Sequence, residues 1–178
     1  MRLAEFLCWA MRYQHSMTDQ AVQDLTSEQL HWFPPASAAN HIGFTLWHAV
    51  RTEDHGVQTI LQRKPTVWIK GAFYGRWRME KIAQGTGMAA EGGARRAPAC
   101  YRSVDGDQQQ VWRATDAFLA DADEETLERA HHHVAVGELP AREVLTLIML
   151  HSPRTSVRSF CCASCRAWRA VLLFEAAN

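Results

Sequence analysis

Apolar residues recur at three- and four-residue spacing along four stretches of the chain, and those stretches predict four helices. Over residues 2–25, Leu3, Phe6, Leu7, Ala10, Met11, Met17 and Val22 approximate one stripe that is expected to face the core. Thr26 begins a capping-type sequence, and Pro34 and Pro35 close a connector. The second helix runs from Asn40, a candidate N-cap, to Gln62, with Ile42, Phe44, Leu46, Trp47, Val50, Val57, Ile60 and Leu61 as its apolar surface. Val111, Trp112, Thr115, Phe118 and Leu119 mark a third helix over residues 106–120. A fourth begins after Pro140 and carries Val144, Leu145, Ile148 and His151 on one side.

Periodicity disappears between residues 63 and 105, and a connection this long is expected to be a crossover or a functional loop. Its aromatic front half is expected to pack, and the Gly- and Ala-rich part after Gly85 reads as mobile. No strand pattern and no repeat is found. The predicted fold is all-α: a four-helix bundle with a long crossover between helices two and three, spanning residues 1–151 as one domain. Residues 152–178 form an atypical tail.

Nineteen basic and nineteen acidic side chains cancel, which removes the electrostatic footprint expected of a nucleic-acid or anionic-membrane partner. No apolar run approaches the roughly 20 residues of a spanning helix, and no cleavage site follows the first apolar stretch. A cytoplasmic protein is expected. Cys8 and Cys100 stand alone and Cys161, Cys162 and Cys165 cluster, an odd count that argues against a disulfide framework.

The histidines carry the candidate chemistry. His41, His48 and His55 follow one another at seven-residue steps of about 10 Å along one helix, too far apart to share an ion. His48, in the middle of the apolar stretch, is the candidate ligand; His41 and His55 read as surface residues. Adjacent His131, His132 and His133 point in different directions and read as a solvated loop. In a bundle, inward side chains of different helices meet, which brings His48 to His151. A histidine on an inner face is either a satisfied core residue or a ligand, and both readings stand at this point.

Leu25, Trp32 and Pro34, the run NHIGFTLWH from Asn40 to His48 with Glu53 five residues on, Trp68, Arg76 and Trp77, and the run LIMLH ending at His151 together resemble the DinB/YfiT-like metalloenzyme family. The resemblance covers most of residues 3–151. It implies a bundle, often a homodimer, that holds a divalent metal, zinc or nickel, by three histidines: one from helix two and two spaced four residues apart on the last helix. Carried over, the ligands are His48 and His151, and the third position is occupied by Thr155. The resemblance also implies a small-molecule substrate and, for members of known activity, a low-molecular-weight thiol whose thiolate the metal binds for isomerisation or S-transfer; hydrolysis is the other reaction type. Trp47, Trp68, Tyr74, Arg76 and Trp77 are the candidate substrate-binding residues, with packing as their alternative role.

The tail carries four arginines and no acid before Glu175. Read two bases out of phase from the His151 codon, with permitted synonymous codons, it gives LAAHVGEIVLLRELPG, an amphipathic continuation with a histidine four residues after His151. We therefore read residues 152–178 as the product of a one-base deletion. Under that reading the metal site is incomplete and activity is lost or reduced. The competing reading is a non-catalytic helical binding or dimerisation module.

Overall fold

The computed structural model describes residues 1–32, 40–88, 101–134 and 136–151, with the side chains of the third long helix described from residue 106 onward. The deletion reading, the tail cysteines, Thr155 and most of the Gly- and Ala-rich segment lie outside these residues. Among the described residues the architecture is the predicted one, mostly helical. Its long elements are α1 (Leu3–Val22), α3 (Ile42–Asp54) continued by a π-helical segment (His55–Leu61), α6 (Tyr101–Asp121) and α8 (Ala141–Leu150). Short helices α2 (Ser27–His31), α4 (Val67–Lys70), α5 (Phe73–Arg76) and α7 (Glu124–Glu128) decorate the connections. None of the described helices is long and apolar enough to cross a membrane.

The inward face of α1 differs from the expected one. Ala4, Leu7, Met11, His15, Thr18 and Val22 are buried, whereas Leu3 and Phe6 are exposed beside Trp9 and Tyr13. Two polar residues take inner positions because both are satisfied there, His15 by Glu53 of α3 and Thr18 by the Gln14 carbonyl of its own helix, and the apolar stripe rotates accordingly. Thr26 caps α2 as its sequence predicts, with Thr26 Oγ1 accepting from the Gln29 amide at 3.2 Å and Gln29 Oε1 accepting from the Thr26 amide at 2.8 Å.

Two histidine readings are overturned. His41 is 1% exposed and is itself the N-cap of α3, its Nδ1 accepting from the Phe44 amide at 3.0 Å. An imidazole lone pair there does the work assigned to Asn40. The segment read as a solvated loop is instead an antiparallel pair, β1 (Ala130–His133) and β2 (Gly137–Pro140), with His131 opposite Leu139 and His133 opposite Gly137. Alternation along β1 buries His131, which donates from Nδ1 to the Ile60 carbonyl at 3.1 Å, and leaves His132 in solvent beside Glu138. The hairpin thus supplies a donor to a carbonyl of the π-helical segment. Four residues with modest strand propensity, three of them histidine, gave no sequence signal for it.

Helix α8 follows Pro140 as expected and buries Val144, Leu145 and Ile148 against α1, the π segment and α7. Gly56 makes this approach feasible: a Cβ there would stand 2.5 Å from Ile148 Cδ1. A second core cluster joins Phe44, Trp47 and Val50 of α3 to Val67, Trp68 and Phe73 of the crossover and Val111 and Trp112 of α6. Leu145 is fully buried, and Leu145→Ala is expected to cost about 2–5 kcal/mol in urea unfolding. A loss under about 1 kcal/mol would contradict the packing described.

Candidate metal centre

His48 stands in the middle of α3 and His151 at the C-terminal end of α8, and the two imidazoles meet edge to face. Their Nε2 atoms are 2.9 Å apart and their ring centroids 4.8 Å apart. On the far side of its ring, His48 Nδ1 lies 2.6 Å from the Gln84 carbonyl oxygen. A carbonyl only accepts, so Nδ1 carries the proton and Nε2 of the neutral ring presents a lone pair toward His151. In the metal-free chain this pairing makes His151 the donor from its own Nε2. Burial of the His151 ring and, after it, the neighbouring His48 hold the His151 pKa below the usual imidazole value, which favours the neutral form that a metal requires.

The Gln84–Gly85 turn is built to lie against His48. Gly85 has φ +95°, and a Cβ on it would come within 2.7 Å of His48 Nδ1 and 3.0 Å of a Trp47 ring carbon. One helical turn along α3, Arg51 donates from Nε to the Ala83 carbonyl at 3.1 Å and from Nη1 to Asp54 Oδ2 at 2.6 Å. Asp54 in turn accepts from the amides of Val67 at 2.8 Å and Trp68 at 3.0 Å, and the Arg51 guanidinium lies 4.8 Å from the Trp68 ring centroid. Facing this network from α6, Asp107 is 1% exposed, and neither of its oxygens has a hydrogen-bond partner among the described residues. Burial first, and then the Asp54 charge, push its pKa up to about 7 against the opposing pull of Arg51 and Arg76.

Glu53, the remaining donor near the histidines in sequence, is committed elsewhere. Its Oε2 lies 2.9 Å from His15 Nε2, and its Oε1 accepts from Thr115 Oγ1 at 2.6 Å. His15 stacks on Trp112 with centroids 4.3 Å apart. This buried cluster ties α1, α3 and α6 together. Among the described residues no group of three His, Cys, Asp or Glu side chains could hold a metal.

Of the aromatic and basic residues predicted to line a pocket, Trp47 and Trp68 are fully buried in the second core cluster. Tyr74 and Trp77 pack against it part-buried, and Arg76 is exposed with its guanidinium 5.0 Å from the Phe73 centroid. Sequence reasoning missed Arg51, Asp54 and Asp107. Arg51 and Asp54 carried one signal, opposite charges three residues apart on one helix; Asp107 carried none, since its burial depends on the crossover.

Facing imidazoles from two long helices define a helical-bundle protein whose site is assembled between helices rather than in a loop. The chain belongs to the DinB superfamily, whose family description matches residues 10–154. A conserved protein from Enterococcus faecalis, known from its crystal structure, is similar in fold, with 13% sequence identity and a TM-score of 0.75 over 92% of this chain and 99% of that one. No curated protein matches the sequence.

Proposed function

We propose that this DinB-superfamily chain derives from a divalent-metal enzyme of thiol-transferase, isomerase or hydrolase type, and that His48 and His151 are two of its ligands. The supporting observation is the pair of Nε2 atoms 2.9 Å apart with Nδ1 of His48 tied to a backbone carbonyl. Two imidazoles that share one ion at about 2.0–2.1 Å each have their nitrogens roughly 3 Å apart, so the pair fits a zinc or nickel ion. A bound ion supplies Lewis acidity that lowers the pKa of a water or a small thiol. The chain's own contribution is to hold the two rings converging, with Nδ1 of His48 tied to the Gln84 carbonyl. The third ligand belongs to the position of Thr155, and the incomplete set in this chain follows from the deletion reading. A small-molecule substrate, a low-molecular-weight thiol and a homodimer enter this proposal from the family.

The test is calorimetric titration of zinc and nickel into this chain and into a version carrying the rephased tail. The repaired chain is expected to bind one equivalent, and His48→Ala or His151→Ala in it to lower affinity by more than the roughly 10–100-fold that loss of an outer-shell partner costs. Equal, tight binding by both chains would remove the consequence assigned to the deletion. Binding by neither favours the non-catalytic helical module.

A further inference from the structure

We propose that Arg51 is a positioning residue for His48, acting through the Ala83–Gly85 turn of the crossover. The proposal rests on the metal reading for its functional meaning, and on hydrogen-bond geometry for its substance. His48 and Arg51 leave α3 one turn apart and bind consecutive carbonyls of one short segment, Gln84 at 2.6 Å and Ala83 at 3.1 Å. Local turn hydrogen bonds, Ala83 N to the Glu80 carbonyl at 3.0 Å and Met88 N to the Gly85 carbonyl at 3.2 Å, shape the segment, and the two α3 side chains fix it against the helix. Gly85 is admitted against the ring by the absence of a side chain and by its positive φ.

Among the described residues the Gln84 carbonyl is the acceptor that selects Nδ1–H on His48, and an unanchored turn withdraws it. A neutral imidazole left to itself favours the proton on Nε2, which would turn the metal-facing nitrogen into a donor. Arg51 removes that alternative indirectly. Its guanidinium holds the Ala83 carbonyl, is itself fixed by Asp54 and Trp68, and through Asp54 is registered to the first amides of α4. Arginine suits this role because Nε and Nη1 diverge in one rigid plane and can bind a carbonyl and a carboxylate at once. Lysine has one nitrogen and gives up part of that double attachment.

The experiment reads the His48 tautomer in the metal-free protein by nitrogen-15 NMR at about pH 8, where neutral imidazoles dominate. The full chain is compared with Arg51→Lys, with the double variant Arg51→Met and Asp54→Asn, and with Gly85→Ala. Arg51→Lys keeps a charge for Asp54, and the double variant removes the Arg51 and Asp54 charges together while taking the pull of Arg51 from Asp107, so the two probe Arg51 without relying on the same fold compensation. Gly85→Ala supplies the signature of a displaced turn. In the unsubstituted chain Nδ1 of His48 is expected to show the protonated shift and Nε2 the lone-pair shift. In either Arg51 variant, folded by circular dichroism, the two nitrogens are expected to move toward averaged or reversed shifts, and, when the same substitutions are made in the chain with the rephased tail, nickel affinity to fall roughly 10–100-fold.

A folded Arg51→Lys or double variant that keeps the original tautomer overturns the proposal, whatever its metal affinity. If the tautomer moves but the chain with the rephased tail binds no nickel, the turn positions His48 and the metal reading fails. If nickel binds and the tautomer does not move, the metal reading stands without this role for Arg51.

Discussion

Glu53→Ala lowers stability by about 3–5 kcal/mol, the range expected when one partner of a buried polar pair is deleted and the rest stays buried. The carboxylate is 4% exposed and spends both oxygens, on His15 Nε2 and Thr115 Oγ1, so its removal strands two polar groups on two different helices. It also enlarges a cavity of about 20 Å³ lined in part by His15, Thr18, Val50, Glu53, Gln108 and Trp112. Water entering that space can satisfy some of the stranded groups, which places the loss toward the lower end. Glu53→Gln keeps an oxygen for Thr115 and a polar atom for His15 and is expected to cost about 1 kcal/mol. Urea unfolding of the three proteins decides the matter. Equal loss in the two variants would mean that charge, rather than hydrogen-bond count, holds the cluster.

Asp107→Asn acts in the opposite direction, and its effect depends on pH. The folded protein holds the Asp107 proton up to about pH 7, whereas the unfolded chain releases it near the ordinary value of 3.8. Within that window the folded state binds more protons, so stability falls as pH rises through it and levels off above the folded value. A shift of about three pH units corresponds to at most about 4 kcal/mol. An asparagine amide in the same place is also short of partners and returns part of that gain. The net expectation is a stabilisation on the order of 2 kcal/mol at pH 8 that crosses zero at lower pH and becomes a loss of about 2 kcal/mol near pH 4, where only the cost of the asparagine remains. Parallel unfolding curves at the two pH values test it, and a constant difference between Asp107→Asn and its parent would show that Asp107 is not the group titrating.

The helices were legible in the sequence because burial of Leu7, Met11, Val50, Leu119, Leu145 and Ile148 follows the 3.6-residue period that their spacing records. The meeting of His48 and His151 was legible for the same reason: each sits in register with apolar neighbours, and a bundle brings those helix faces together. What escaped was polar burial. His15, His41, Arg51 and Asp107 look like surface residues one at a time, and each is buried because a partner, or in the case of Asp107 a covering segment, arrives from elsewhere in the chain. The β1–β2 hairpin escaped because its inward side chain, His131, is recruited by a carbonyl that exists only once the π segment has formed.

The seat of Ile148 on Gly56 has a consequence for the histidines. Gly56 lies eight residues after His48 and Ile148 three before His151, so the notch and the side chain that fills it act as a stop between two rods. With the stop engaged, α8 cannot slide along α3, and the gap between the two Nε2 atoms is gauged from a point neither imidazole touches. A larger residue at position 56 would lift one rod away from the other and open that gap while leaving both rings chemically intact.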